Sequence, residues 1–223
     1  MNELFTTLDR AAGRTAAGPG LDGLVGGLLA EVADGRRVLR AVDHPLGFYC
    51  LPVLREGALG VCVHVFDPVR AAGRREIHCH SWELKSSVLY GRIGNLRVGV
   101  HDEAALPSHR AFEVYSDAAA GVDEVRPTAR LVRWEPLGEE VSGRGETYTL
   151  AAGQFHVTAL PDGEPAATVV LGRTVPGPVD VVLGPVDGGA RRVVRRLCDA
   201  DRTARIAGEV ARRIGGRDDS GPG

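Results

Sequence analysis

The chain has 223 residues, with 27 Lys and Arg against 29 Asp and Glu and a formal net charge of −2. That balance gives no reason to expect nucleic acid or an anionic membrane surface as partner. No apolar stretch approaches the roughly 20 residues of a membrane-spanning helix, and the opening Met1-Asn2-Glu3-Leu4-Phe5 lacks the basic-then-apolar pattern of a secretory signal. The four cysteines, Cys50, Cys62, Cys79 and Cys198, have no C-x-x-C spacing and read as free thiols of a cytoplasmic protein.

Residues 2–13 and 21–34 have helical spacing, and the stripe Leu21, Leu24, Leu28, Leu29 and Val32 stops at Gly35. Ala17-Gly18-Pro19-Gly20 is a joint between the two helices. From about residue 37 to 185 the pattern changes to period two with turn punctuation. Strands are predicted at 37–42, 48–54, 60–66, 75–80, 84–90, 95–100, 129–135, 146–150, 154–160, 167–173 and 179–183. The polar segment 102–127 reads as a long surface loop with a short helix. Asp199 or Asp201 caps a last helix over 199–214, with Ile206, Val210 and Ile214 as its stripe, and 217–223 is expected to be disordered. The cluster Arg191, Arg192, Arg195 and Arg196 reads as a solvated face. With no internal repeat and no linker, the chain is predicted to be one mainly β domain, an antiparallel barrel with helices at both ends.

The chemistry concentrates in Ile77-His78-Cys79-His80-Ser81-Trp82-Glu83-Leu84-Lys85. Alternate residues of a strand share a face, so His78 and His80 project together and Cys79 points away. Far along the chain, Gly153-Gln154-Phe155-His156-Val157-Thr158 supplies a third histidine after a glycine turn. Two imidazoles from one hairpin and one from a distant strand make a three-nitrogen, open-sided metal site for Fe(II) or Zn2+. Gln154 and Thr158 share parity with His156 and are candidate substrate-binding groups beside it. Trp82, Tyr90, Arg92 and Tyr148 are candidates for the pocket mouth, Trp82 and Arg92 for substrate binding and Tyr148 for catalysis. His64, on a face with Cys62 and Phe66, reads as a buried, hydrogen-bonded core histidine. His44 before Pro45 and His101 before an acidic turn read as loop residues.

Here the sequence resembles the cupin superfamily, whose fold is an antiparallel jelly-roll barrel. Gly73, His78, His80 and Gly91 match its first signature, and Gly153 with His156 matches its second, over about residues 48–175. The family's acidic fourth ligand would fall at Leu84 or Lys85, neither an acid, so the resemblance implies three neutral ligands. That pattern is similar to cysteine dioxygenase-like cupins, which implies Fe(II), O2 and a small amino-acid-like or carboxylate substrate. Lys85, in the slot of the missing acid, is then expected to act at the metal and pair with a substrate carboxylate. The Arg that holds cysteine in that branch would fall near Leu51, and its tyrosine near Gly172 or Arg173, which argues against cysteine itself. The stretch from His44-Pro45-Leu46-Gly47-Phe48 to His80-Ser81-Trp82-Glu83-Leu84 also looks like the cupins of hydrazine-forming biosynthetic enzymes. That likeness implies Zn2+ and a non-redox rearrangement forming a nitrogen–nitrogen bond. A third reading is a non-catalytic barrel that binds a small ligand. By analogy with cupins, a homodimer is expected.

Overall fold

The computed structural model describes residues 2–12, 20–72, 76–117 and 120–216. The expected helical residue Gly13, most of the joint at 17–20, Gly73, Arg75 and the tail 217–223 lie outside them. Two helices open the chain, α1 (Glu3–Ala11) and α2 (Leu21–Ala33). Strands follow: β1 (Val42–Asp43), β2 (Phe48–Glu56), β3 (Leu59–Phe66), a short α3 (Pro68–Ala71), β4 (His78–Cys79), β5 (Trp82–Tyr90) and β6 (Arg92–Asp102). Next come β7 (His109–Asp117), β8 (Val122–Gly143), β9 (Thr147–Leu150), β10 (His156–Ala159), β11 (Ala166–Thr174), β12 (Val181–Gly184), β13 (Arg191–Val194) and β14 (Arg196–Leu197). The long α4 (Ala200–Gly215) closes the fold.

The strands form two seven-stranded antiparallel sheets. One runs β14-β1-β2-β3-β11-β5-β9 and the other β13-β8-β6-β10-β4-β12-β7. This is a mainly β arrangement of antiparallel sheets with helices from both ends of the chain, as the sequence predicts. No helix among the described residues is long and apolar enough to cross a membrane.

The first sheet is apolar on both faces, for two different reasons. Its odd-numbered residues Leu51, Val61, Val63, Val169 and Leu171 pack with Phe5, Leu8, Val25, Leu29, Ile206 and Val210 of the helices. Full burial of each such side chain contributes about 1.5–3 kcal/mol. Its even-numbered residues Phe48, Cys50, Cys62, Leu84 and Val170 turn to the interior between the sheets. The helices are held by their ends as well as their stripes. Asn2 accepts from the Phe5 amide and Asp199 from the Arg202 amide, satisfying first-turn donors.

Three sequence expectations fail. Segment 102–127 is not a loop: β7 and the 22-residue β8 pair along most of it, with β8 also pairing β6. Their composition is polar because β8 is exposed along most of its length, which removes the alternation that marks a half-buried strand. The strands do not end near residue 185, because β13 pairs β8 and β14 pairs β1; Arg191, Arg192 and Arg196 are exposed there, as expected, and Arg195 alone of the cluster is half-buried. Of the predicted strand over 37–42 only Val42 is strand, as the first residue of the two-residue β1.

Gly91 closes the β5–β6 hairpin with φ +71°, and a Cβ there would run into the Pro165 carbonyl oxygen and Ala166. Gly91→Ala is therefore expected to destabilise the fold by about 2 kcal/mol or more, from left-handed strain plus the clash. Urea unfolding, read as a lower midpoint at unchanged slope, measures it.

Candidate metal centre

His78 and His156 are direct partners across the antiparallel β4–β10 pairing. His80 follows two residues after His78 and shares its side. The three rings meet, with centroids 4.9 Å apart for His78 and His80, 4.4 Å for His78 and His156, and 5.2 Å for His80 and His156. One ring nitrogen of each lies within 4.8 Å of the others. No carboxylate belongs to this cluster among the described residues, so the donor set is three imidazoles.

Two of the rings are held in the tautomer a metal needs. His78 Nδ1 lies 2.9 Å from the Glu76 carbonyl oxygen and His156 Nδ1 lies 3.1 Å from that of Gln154. A carbonyl only accepts, so each Nδ1–H donates and each Nε2 keeps its lone pair free. Burial lowers the pKa of all three. His156 is pushed down to about 3 by desolvation and then by His78, and His80 falls well below its ordinary value by desolvation and its histidine neighbours. His78 is lowered chiefly by desolvation. Neutral imidazoles with free lone pairs suit Fe(II) or Zn2+ equally.

The three histidines open onto a cavity of about 160 Å³ between the sheets. Trp82, Tyr148 and Thr158 lie on its wall. Burial raises the pKa of the Tyr148 hydroxyl, which keeps its proton. Thr158 Oγ1 donates to Asn95 Oδ1 at 3.1 Å, and the buried Ser86 Oγ lies on the same wall.

Four expected site residues stand elsewhere, and Tyr90 is one of them, packed in the helix-facing cluster. Lys85 is on the opposite face of β5 from Leu84 and Ser86. Its ammonium donates to the Asp9 carboxylate at 2.8 Å and to the Asp9 carbonyl at 3.1 Å, tying the sheet to α1. The inward slot belongs to Leu84, so Lys85 neither meets the metal nor reaches a substrate there. Arg92 sits exposed beside the Gly91 turn, paired with Asp162 at 3.1 Å. Gln154 turns its side chain back to accept from the Ala151 amide, and only its carbonyl serves the site, through His156.

The sequence reading missed other wall residues. Arg55 faces the cavity because β2 carries an extra residue: Pro52 pairs with Cys62, but Leu54 pairs with Val61 and Arg55 with Gly60. A bulge reverses the alternation beyond it, which no periodicity within β2 announces. The Arg55 guanidinium lies where a side chain on Gly60 would be, 5.0 Å from the Trp82 ring centroid, and Trp82 in turn lies over Gly172. His64 lines the cavity instead of being enclosed in the core, and His44, although in a loop, reaches it too. His44 stacks on Phe48 at 4.3 Å, and its Nδ1 accepts from the Leu46 amide, so its Nε2 carries the proton and cannot ligate. Arg195 also reaches the wall, bonded to buried Asp123 at 2.6 Å.

No protein-family model and no curated protein matches the chain. Among solved structures it is similar to hydroquinone 1,2-dioxygenase PnpCD in complex with Cd2+ and 4-hydroxybenzonitrile, at 12% identity and a TM-score of 0.32. The match covers 56% of this chain and 63% of that one, so the chain spans less than two thirds of that structure's length. Likeness at this level bears on neither fold nor chemistry.

Two substitutions separate the centre from the surface. His156→Ala is expected to abolish stoichiometric metal binding, read by elemental analysis after dialysis; full retention would remove the third ligand. Lys85→Met is expected to leave metal content unchanged and to cost no more than about 1 kcal/mol, because the pair it breaks is half-exposed.

Proposed function

We propose that the chain is a metal-dependent enzyme in which His78, His80 and His156 hold Fe(II), acting with O2 on a small anionic substrate. The observation that supports this reading is the convergence of three neutral imidazoles, two with their Nε2 freed by a carbonyl at Nδ1, on a cavity between the sheets. Three ligands leave coordination positions for other molecules, unlike a closed structural site. Iron held there would supply the activation of O2 next to a bound substrate.

The chain's own residues account for binding and positioning. Arg55 is the cation of the wall that makes no ion pair with a carboxylate among the described residues, whereas Arg195 is bonded to Asp123. It is therefore the group that would take a substrate carboxylate, with a planar fork suited to two-point contact. The Trp82 ring fixes the guanidinium from one side. Tyr148, protonated and buried, offers a donor deeper in the cavity, and Ser86 and Thr158 offer further hydroxyls. Phe48, Leu84 and Leu150 line the remainder and exclude water around the bound molecule.

Protein purified without added metal is expected to hold iron near one equivalent, lost in His80→Ala, and to consume O2 when small carboxylates and amino acids are supplied. Arg55→Met should keep the iron while raising the concentration for half-maximal O2 uptake about tenfold or more, as loss of a charged hydrogen bond implies. Zinc in place of iron, with no substrate-dependent O2 uptake, would overturn the oxygenase assignment and favour a non-redox Lewis-acid reaction. Unchanged uptake in Arg55→Met would overturn the anion subsite alone.

A further inference from the structure

The inner face of the helix-covered sheet carries a second group of soft donors apart from the three histidines. Cys50, Cys62 and His64 each bring one ligand atom within 4.8 Å of the other two. The register builds the group. Cys50 and His64 are direct partners across β2 and β3, and Cys62 precedes His64 by two residues on the same face. Cys50 and His64 lie on the cavity wall, with Cys62 behind them at 1% exposure.

We propose that Cys50, Cys62 and His64 form a second metal site, separate from the three-histidine centre, that takes a thiophilic divalent cation such as Zn2+. Two sulfurs and one imidazole are among the donor sets this ion prefers in a tetrahedral shell, and the cavity side leaves room for a fourth ligand from solvent. Binding releases the two thiol protons to solvent, and the two thiolate charges then cancel the charge of the ion. That neutrality suits the surroundings. The cysteines belong to an apolar cluster with Phe48, Phe66 and Val170, where an uncompensated charge would be costly. The two centres therefore differ in kind: the histidine centre keeps the full charge of its ion, and this one does not. An ion here ties β2 to β3 a few residues from Arg55, on the strand that carries the bulge.

Cobalt provides a test that sulfur alone can answer. The full chain, reduced and stripped of metal under anaerobic conditions, is titrated with Co2+. The expected result is two equivalents bound in wild type, with thiolate-to-cobalt charge-transfer absorption in the near ultraviolet. Cys62→Ser should lose that absorption together with one equivalent, and His156→Ala should lose one equivalent but keep the absorption. X-ray absorption of zinc-loaded wild type serves even where the cysteine variant does not fold, and should show sulfur neighbours at about 2.3 Å. Saturated wild type with no charge-transfer absorption, or a zinc shell of nitrogen and oxygen alone, overturns the proposal. Undiminished stoichiometry in His156→Ala would instead unseat the three-histidine centre, so the two failures are distinct.

Discussion

A strand shows each side chain to one of two faces, and a pairing register decides which side chains from distant parts of the chain meet there. The pairing of β10 with β4 places His156 directly opposite His78, and His80 follows on the same side two residues on. A slip of one residue would send Val157 into the cavity and His156 out of it. The register is defended from both flanks, since β10 also pairs β6 over four residues and β4 also pairs β12. Behind it, Ile77, Cys79, Phe155 and Val157 pack in one apolar cluster, the alternate partners of the ligands. The same alternation that aims the histidines thus buries the residues between them.

The helix-covered sheet solves a different problem. Its outer face carries the apolar contacts with α1, α2 and α4, which leaves its inner face able to hold groups that packing alone would not favour. Cys50, Cys62, His64 and Arg55 all stand on this inner face or at its rim. Burying imidazoles costs stability below their ordinary pKa, because the unfolded chain takes up protons that the folded site refuses. The helices on the far side of the sheet offset that cost without touching the site.

How much could be read from the sequence follows from the same geometry. His78, His80 and His156 were legible because strand parity and a glycine turn are local signals, and so were the α4 stripe and the Asp199 cap. Lys85 was misplaced because the resemblance supplied a slot while the parity of β5 supplied the face. Counting from Trp82, which lies on the wall, gives Leu84 and Ser86 inward and Lys85 outward. Arg55 was illegible because the bulge at Val53 changes the parity without any change in composition. Strand β8 was legible only over 129–135, because most of its length is exposed and offers no apolar face to generate a period of two, and in β7 the two buried residues, Ala111 and Phe112, are adjacent instead of alternating.

No carboxylate joins the three imidazoles among the described residues, although two acids stand near them. Glu76 and Asp180 both line the cavity, and each also orients a group beside a histidine, Glu76 through its backbone carbonyl and Asp180 through its carboxylate. The Glu76 backbone carbonyl accepts a hydrogen bond from His78 Nδ1–H, and the Asp180 carboxylate accepts from the Ser81 amide at 2.6 Å, holding the turn that follows His80. A carboxylate that reached the metal would lower its charge and occupy a position. With three neutral imidazoles alone, a bound ion would keep its full charge, and Arg55 adds a positive group on the same wall as the two acids.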